Sequence, residues 1–454
     1  MARASAARSP ARRASASAVM VGAAATMAPV SNRRLRGASR GPRRSFITVS
    51  CAHLEEWPQR WDEKIMIVLT QRLRTLVLVC LLPLTLAACG TPRVLELSQA
   101  SARHQDVAGT VQIYVATTRE SSAQPVWFSG ERAPRLSFAR LDITVPRNHK
   151  PGELELPDSG PGDPLKHFVA TNLTRLELAP VVADVRKDLQ RRPPSERDVL
   201  VFVHGYNTNF ADAAYRFAQI VYDSGFKGVP VLFTWPSRGE LLAYPYDRES
   251  AFYSRDFLEA NLRAITRDLG PPRMDILAHS MGTLLTLESL RQAAIRGDGG
   301  FGGKLRDVML AAPDVDLDVF KTQMRQIKRP VTVFVSADDR ALDFSRRFAG
   351  DKKRLGAVSS KDTETIAELE KLGARLIDLS EVSSGDPLNH AKFAASPKVV
   401  QMIGERLRQD NGIGFTGPQL GDKIGDIAGG VVGTVGSTVG LVVTAPAAIA
   451  RGVR

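Results

Sequence analysis

The sequence has no cysteine after residue 89, because its three cysteines are Cys51, Cys80 and Cys89. This absence excludes a disulfide framework and a cysteine-based metal site from the rest of the chain. Histidine is also scarce, with 7 residues in 454. Stability must therefore come from an apolar core, and a chain of this length with 43% hydrophobic residues can build a large one.

The formal net charge of +13 comes mostly from the N-terminus. Residues 1–64 contain 12 Lys and Arg against 4 Asp and Glu, and Arg72 and Arg74 follow. The remainder of the chain is close to balanced, so a nucleic-acid partner is not expected.

Two different segments make up this N-terminus. Residues 1–65 are rich in Ala, Ser and Arg and are predicted to be a disordered extension. A transit peptide is the alternative, but residues 66–88 have the basic start and apolar run of an export signal. We therefore expect translation to begin at Met66.

The signal ends in Leu86-Ala87-Ala88-Cys89-Gly90, which resembles the lipobox of bacterial lipoproteins. The resemblance implies that Cys89 is lipidated and that the protein is anchored in the bacterial cell envelope, on the periplasmic face of a membrane. The alternative is an ordinary signal peptide in which the cysteine is coincidental. Residues 89–108 then form a polar tether.

Residues 109–412 alternate between short aliphatic runs and amphipathic stretches. Predicted strands cover 111–117, 138–145, 198–203, 229–233, 273–277, 305–311, 331–335 and 374–379. Predicted helices cover 210–223, 249–268, 281–296 and 396–408. This alternation predicts an α/β fold with a mostly parallel sheet and helices on both faces. Functional residues should then follow the carboxyl ends of strands.

Ser280 lies in Ala278-His279-Ser280-Met281-Gly282, between a predicted strand and a predicted helix. This is the context of a nucleophile elbow, in which the neighbours at two residues on either side must be small. A similar motif around Ser39 follows no strand and precedes no helix, so it is discarded. We predict that Ser280 is the nucleophile of a serine hydrolase.

A serine nucleophile needs a base that is held in turn by an acid, and in the α/β-hydrolases, whose nucleophile turn this motif resembles, the two follow the serine in the order Ser, acid, His. Only His390 lies after Ser280, in a loop beyond the last predicted strand. The acid should follow a strand between them. Asp339 is favoured, Asp338 is second, and Asp314 is the third candidate.

The oxyanion that forms during acyl transfer needs two backbone N–H donors. Met281 should supply one, because it follows the nucleophile. The loop His204-Gly205-Tyr206-Asn207 follows another strand and should supply Tyr206 N–H, with the Asn207 side chain as a further candidate. His204 and His279 are expected to pack rather than react.

These patterns resemble the α/β-hydrolase superfamily and, more narrowly, a bacterial esterase/lipase-like branch of uncharacterised function. The motifs that carry the resemblance are Val115-Ala116-Thr117-Thr118-Arg119, His204-Gly205-Tyr206-Asn207, Phe233-Thr234-Trp235-Pro236-Ser237, the Ser280 motif, and Asp339-Arg340-Ala341-Leu342 with Ser345. The resemblance implies an α/β-hydrolase fold, a small acyl-ester or lipid substrate, and no metal or cofactor. A catalytically idle envelope interaction protein, and an acyltransferase or thioesterase, are the alternatives.

The tail, residues 413–454, has no charge between Asp426 and Arg451, and Gly421, Gly425, Gly429 and Gly433 recur every four residues. This spacing favours close helix packing in a membrane. A disordered low-complexity tail is the alternative.

Overall fold

The computed structural model describes residues 93–98, 106–158, 160 and 162–408. The predicted extension 1–65, signal peptide 66–88, lipidation site Cys89 and tail 413–454 lie outside the described residues. Within the described ranges, no helix combines the length and the hydropathy required to cross a membrane.

The described chain folds into one nine-stranded sheet with helices on both faces. The strands are β1 Gly109–Ser121, β2 Phe128–Val145, β3 Val169–Leu176, β4 Val199–Val203, β5 Val229–Thr234, β6 Met274–His279, β7 Leu305–Ala311, β8 Val331–Val335 and β9 Ala374–Asp378. Their order across the sheet is β3-β2-β1-β5-β4-β6-β7-β8-β9. All pairings are parallel except those that join β2 to β1 and to β3.

In the described part of the chain, nine α-helices connect and cover the strands. They are α1 Leu178–Arg191, α2 Phe210–Ser224, α3 Tyr244–Ala264, α4 Met281–Ile295, α5 Leu317–Ile327, α6 Arg340–Phe348, α7 Thr363–Lys371, α8 Lys392–Ala395 and α9 Pro397–Arg408. Buried residues of α1, α3, α4, α5 and α7 form the core on one face of the sheet, and those of α2, α8 and α9 form the core on the other. The predicted fold class is confirmed.

The central strands are buried because helices cover both faces of the sheet. Every residue of β4, β5 and β8 is buried, so an unbroken aliphatic run is favoured over an alternating one. Each Val, Leu or Phe buried in this way contributes roughly 1.5–3 kcal/mol. The parallel strands point the same way, so the loops after β4, β6, β8 and β9 meet at one edge of the sheet.

The segment 93–98 lies against the domain, although the sequence assigns it to a polar tether. Leu95 is fully buried, and its carbonyl accepts a hydrogen bond from Trp127 Nε1 at 2.9 Å. Arg93 forms an ion pair with Asp212 at 2.6 Å. The tether prediction does not hold for these six residues, because an isolated leucine in a polar stretch gives no periodic pattern to read.

Candidate active site

Ser280 occupies the sharp turn that joins β6 to α4. Its backbone has φ 53° and ψ −125°, a strained conformation for a residue with a side chain. Gly282, two residues on, has no room for a side chain, because an added Cβ would lie 2.2 Å from the His204 carbonyl oxygen. The small residue that the motif requires at this position is therefore explained by the close approach of the β4 loop.

The turn is fixed from the side of β7 as well. The Ser280 N–H donates to the carbonyl oxygen of Ala311 at 2.9 Å, and its carbonyl oxygen accepts from the Asp314 N–H at 3.2 Å. Such support is needed to hold a strained backbone in place. The residue is 3% exposed, so little of the serine meets solvent.

His390 lies in the loop between β9 and α8 and contacts Asp339. His390 Nδ1 is 2.7 Å from Asp339 Oδ2. The Asp386 carboxylate accepts from the backbone N–H groups of His390 and Ala391, at 2.5 and 2.6 Å, and so holds the loop. Burial alone would lower the pKa of His390, but the carboxylates of Asp339, Asp314 and Asp386 outweigh it and raise that pKa above the ordinary value of 6.5.

The three candidate acids have different partners. Asp339 is buried, and its second oxygen accepts from the Leu342 N–H at the start of α6. Asp338 instead accepts from Lys392 Nζ at 2.8 Å, and Asp314 pairs with Arg354 at 3.2 Å. Of the three, only Asp339 contacts His390.

The loop after β4 lies directly against the serine. A Cβ added to Gly205 would lie 2.8 Å from Ser280 Cβ, so the two backbones are in close contact. In the hydrogen-bond network of the described residues, neither Tyr206 N–H nor Met281 N–H has an acceptor. Both groups are therefore available as donors beside Ser280. The Asn207 N–H is taken by Asp247 Oδ2 at 3.3 Å.

Buried polar side chains support this loop from below. Arg119, which is fully buried, donates from Nη2 to the Thr208 carbonyl oxygen at 2.7 Å and from Nε to Thr234 Oγ1 at 2.8 Å. Asp247, also fully buried, accepts from Asn207 N–H and from Ser237 Oγ. The loop is thus tied to β1, β5 and α3.

The two histidines nearest to Ser280 are packed. His204 accepts from the Trp235 N–H at Nε2, and its Nδ1 lies 2.9 Å from the Gly205 carbonyl oxygen. The ring of His279 lies 4.7 Å from that of His390 and 4.6 Å from that of Phe393. Burial is the main cause that lowers the pKa of both His204 and His279 well below 6.5, so both are neutral at pH 7.

The structure places the Ser280 turn, the His390–Asp339 pair and the Tyr206 loop at one edge of the sheet. It brings the ring of His390 against His279, the residue before the serine. Among the described residues, Ser280 Oγ and the His390 ring do not form a hydrogen bond. Catalytic hydrogen bonds are often long in a structure without substrate.

A cavity of about 640 Å³ lies elsewhere, between α1, α3 and the β1–β2 hairpin. Its lining includes the amide of Asn261 and the side chains of Val181 and Phe138, but not Ser280, Asp339 or His390. The candidate site is therefore a feature of the sheet edge and its loops rather than of this cavity. No cluster of three or more metal-ligating side chains occurs in the described ranges.

Sequence reasoning assigned no role to Arg119 and did not find Asp247. Arg119 ends one of the motifs that carry the family resemblance, but the sequence of a strand does not show whether a guanidinium points into the core. Asp247 lies in the first turn of α3, where an acidic residue is ordinary at a helix N-terminus. Only the fold brings both of them under the β4 loop.

Comparison with known proteins supports the assignment of the fold. Residues 181–406 match the model of a family described as "Alpha/beta hydrolase of unknown function (DUF900)". The matched range contains the strands and loops that carry Ser280, Asp339 and His390. The comparison with curated proteins found no match.

Several solved structures align with the chain. A predicted CIB-like hydrolase from Thermoplasma acidophilum is 17% identical, with a TM-score of 0.31, over 48% of this chain and 89% of its own. A cold-adapted esterase from an Arctic intertidal metagenomic library is 12% identical, with a TM-score of 0.32, over 69% and 100%. The carboxylesterase CesB from Bacillus subtilis is 8% identical, with a TM-score of 0.29, over 51% and 98%.

Proposed function

The chain is a member of the α/β-hydrolase superfamily, and from this premise we propose that it is a serine esterase with lipase-like character, in which Ser280, His390 and Asp339 form the catalytic triad. The observation that carries the proposal is the contact between His390 Nδ1 and Asp339 Oδ2 at the edge where Ser280 turns from strand to helix. Nucleophile, acid and base then follow one another along the chain in the order that this fold uses.

The first half of the proposed reaction transfers the acyl group to the enzyme. His390 Nε2 takes the proton of Ser280 Oγ while the oxygen attacks the ester carbonyl carbon. The carbonyl oxygen becomes an oxyanion that accepts from Tyr206 N–H and Met281 N–H. The tetrahedral intermediate then collapses, the alcohol leaves with the proton from His390, and an acyl ester on Ser280 remains.

The second half regenerates the serine. His390 takes a proton from water, whose oxygen attacks the acyl carbon, and the carboxylic acid leaves as the proton returns to Ser280 Oγ. Asp339 holds the Nδ1–H of His390 throughout, which keeps Nε2 free to accept a proton and stabilises the imidazolium. No metal and no organic cofactor takes part in this scheme.

We also propose that the enzyme is anchored in the bacterial envelope through a lipid on Cys89, and that the Gly-rich tail 413–454 associates with the membrane. The lipobox-like sequence and the uncharged tail support this location. Mass spectrometry of the N-terminal peptide tests the anchor: a diacylglyceryl group on Cys89 is expected, and an unmodified cysteine would contradict it.

An active-site probe tests the catalytic proposal. A fluorophosphonate is expected to label the wild-type chain and to leave Ser280→Ala unlabelled, because the probe reacts only with an activated serine. Ser360→Ala is the matched control, since it removes an exposed serine of the same domain before α7 and should be labelled as fully as the wild type. Equal labelling of Ser280→Ala would disprove the triad, and an unlabelled wild type would favour an idle hydrolase scaffold.

Product analysis separates hydrolysis from acyl transfer. With an activated ester in water, the free acid is the expected product, and added alcohols should divert only a small part of the acyl group. If a transferred ester dominated at low alcohol concentration, the acyltransferase alternative would be favoured.

A further inference from the structure

Exposed apolar side chains gather at the edge of the sheet that carries Ser280. Leu241 and Leu242 lie between β5 and α3, Phe348 is the last residue of α6, and Leu388 lies two residues before His390. They are 57%, 85%, 58% and 50% exposed. We call these four residues the apolar rim. Single exposed leucines are normal on a soluble protein, whereas a group around one site marks an interaction surface.

The apolar rim is continuous with the candidate active site. The Tyr206 hydroxyl donates to the Leu241 carbonyl oxygen. The Tyr206 ring lies 5.1 Å from the ring of Tyr244, which lies 6.3 Å from that of Phe348. On the other side, the Leu388 carbonyl oxygen accepts from the Arg340 N–H at 3.0 Å. The rim therefore borders the loops that carry Tyr206 and His390.

Basic residues stand beside the rim. The segment 340–353, which we call the basic segment, contains five Lys and Arg and two Asp. Arg346 pairs with Asp351 and Lys353 pairs with Asp362. The other three basic side chains of this segment are exposed and belong to no ion pair in the described part of the chain, namely Arg340, Arg347 and Lys352.

Aromatic and basic groups alternate on α6. The rings of Phe344 and Phe348 lie 4.6 Å apart, and Arg347 is exposed beside them. A helix with this composition suits the interface of a bilayer, where apolar side chains enter the acyl boundary and cations pair with headgroups. The uncompensated positive charge favours an anionic surface.

We propose that the apolar rim and the basic segment bind the surface of an anionic lipid bilayer, so that the loops around Ser280 face the lipid. A bilayer accepts separate apolar tips on several loops, such as Leu242, which projects into solvent. A protein partner would instead need a well-packed central pocket. The surface itself does not depend on catalysis. The corollary that the ester substrate is a membrane lipid does rest on the proposed function.

A site-specific probe of polarity tests the orientation on the membrane. The full-length chain is used with Cys51, Cys80 and Cys89 changed to Ser and with Ser280→Ala, so that neither lipidation nor turnover contributes. A polarity-sensitive dye is attached to Leu242→Cys, to Phe348→Cys or, as the matched control, to Ile295→Cys. Ile295 is 62% exposed and ends α4, about 20 Å along the helix from Ser280.

Vesicles of phosphatidylcholine with and without phosphatidylglycerol are then added. We expect a blue shift of the dye at 242 and 348 with the anionic vesicles, a smaller shift with the zwitterionic ones, and none at 295. Equal shifts at all three positions, or no shift at 242 and 348, would overturn the proposal. A protein partner would be indicated if the dye at 242 responded to protein fractions but not to either vesicle.

Charge variants test whether the basic segment contributes to binding of the anionic bilayer. Arg347→Gln with Lys352→Gln should raise the lipid concentration for the half-maximal shift about 25-fold, since each basic group near the surface contributes about fivefold. Lys187→Gln with Arg191→Gln is the control, because both residues are exposed on α1 away from the rim. If Arg347→Gln with Lys352→Gln left the lipid concentration for the half-maximal shift unchanged, the basic segment would not contribute to bilayer binding. Because Ser280→Ala is the background throughout, a failure of the esterase proposal leaves this result unaffected.

Discussion

The guanidinium of Arg119 donates from Nη2 to the carbonyl oxygen of Thr208 across 2.7 Å, and so joins β1 to the loop of the candidate oxyanion hole. Thr208 lies two residues after Tyr206, whose N–H is a proposed donor. The same guanidinium also reaches the carbonyl oxygen of Ser237 and the hydroxyl of Thr234. A planar group with several fixed donors can hold three backbone segments in one arrangement.

We predict that Arg119→Lys lowers kcat by about 100-fold with little change in KM. One ammonium group cannot reach all of these acceptors, so the Tyr206 N–H should move away from the oxyanion, and misplacement by about 1 Å costs roughly this factor. Rates should be divided by the concentration of sites that a fluorophosphonate titrates. Arg132→Lys is the control, since Arg132 donates to Ser250 rather than to this loop. A loss of titratable sites at unchanged kcat would indicate a merely structural role.

Asp339→Asn should lower kcat by about 10⁴-fold, whereas Asp338→Asn should change it little. The first substitution removes the acceptor of the His390 Nδ1–H. The second changes a carboxylate that accepts from Lys392, Ser336 and Asn389 but does not contact the His390 ring. Steady-state assays on a chromogenic ester measure both. The assignment of the acid is wrong if the two variants show the reverse order.

The pH profile should report the pKa of His390. The base must be neutral, so kcat/KM rises as the imidazole loses its proton. Because the nearby carboxylates raise that pKa against the effect of burial, the acidic limb should have its midpoint above 6.5. In Asp339→Asn, the midpoint of the residual activity should move to lower pH. If the midpoint were identical in wild type and variant, Asp339 would not be the group that raises the pKa of His390.

Gly282→Ala should abolish activity, because its Cβ would lie 2.2 Å from a backbone carbonyl oxygen in the β4 loop. Either the loop or the Ser280 turn must then move. Gly385→Ala is the matched control, since no atom lies within 4 Å of its added Cβ and its φ is not positive. Fluorophosphonate labelling and thermal unfolding are compared for both. Full labelling of Gly282→Ala would show that the turn tolerates the displacement.

Sequence predicts those parts of the fold that are determined by residues close to one another in the chain. Strands 305–311 and 331–335 match the observed β7 and β8, because continuous aliphatic runs between turns identify buried strands. The turn at Ser280 was found for the same reason, since strand, small residues and helix are adjacent in the chain. Downstream of Ser280, one histidine left no choice of base.

The parts that sequence misses depend on contacts between distant segments. The predicted strands did not include β3, whose burial alternates irregularly on the edge of the sheet. The predicted helices omitted α1, α5, α6, α7 and the single turn of α8. Sequence favoured Asp339 over Asp338, but it could not show which of the two contacts His390, because adjacent carboxylates differ only in the direction that the turn gives each one.

His149 forms a buried clasp between the β2–β3 loop and α2, and its stability contribution should depend on pH. Its Nδ1 lies 2.8 Å from Glu155 Oε2 and its Nε2 lies 2.6 Å from Asp223 Oδ1. Burial lowers the pKa of His149, but the two carboxylates outweigh burial and raise it above 6.5. The clasp is therefore strongest below the unfolded-state pKa and weakens as the pH rises through the folded-state pKa.

His149→Gln should lower the free energy of unfolding by about 3 kcal/mol at pH 6, since it removes one partner of a buried charged pair. At pH 9 the same substitution should cost clearly less, because the wild-type imidazole is then neutral and the charged contacts are already lost. Urea unfolding of both chains at pH 6, 7.5 and 9 measures the difference. His167→Gln, in the same loop but with a ring that accepts from the Asp163 backbone N–H rather than contacting a carboxylate, is the control for the loss of an imidazole from this loop. A cost for His149→Gln that is constant across this range would mean that the histidine contributes packing alone and that its charge does not stabilise the fold.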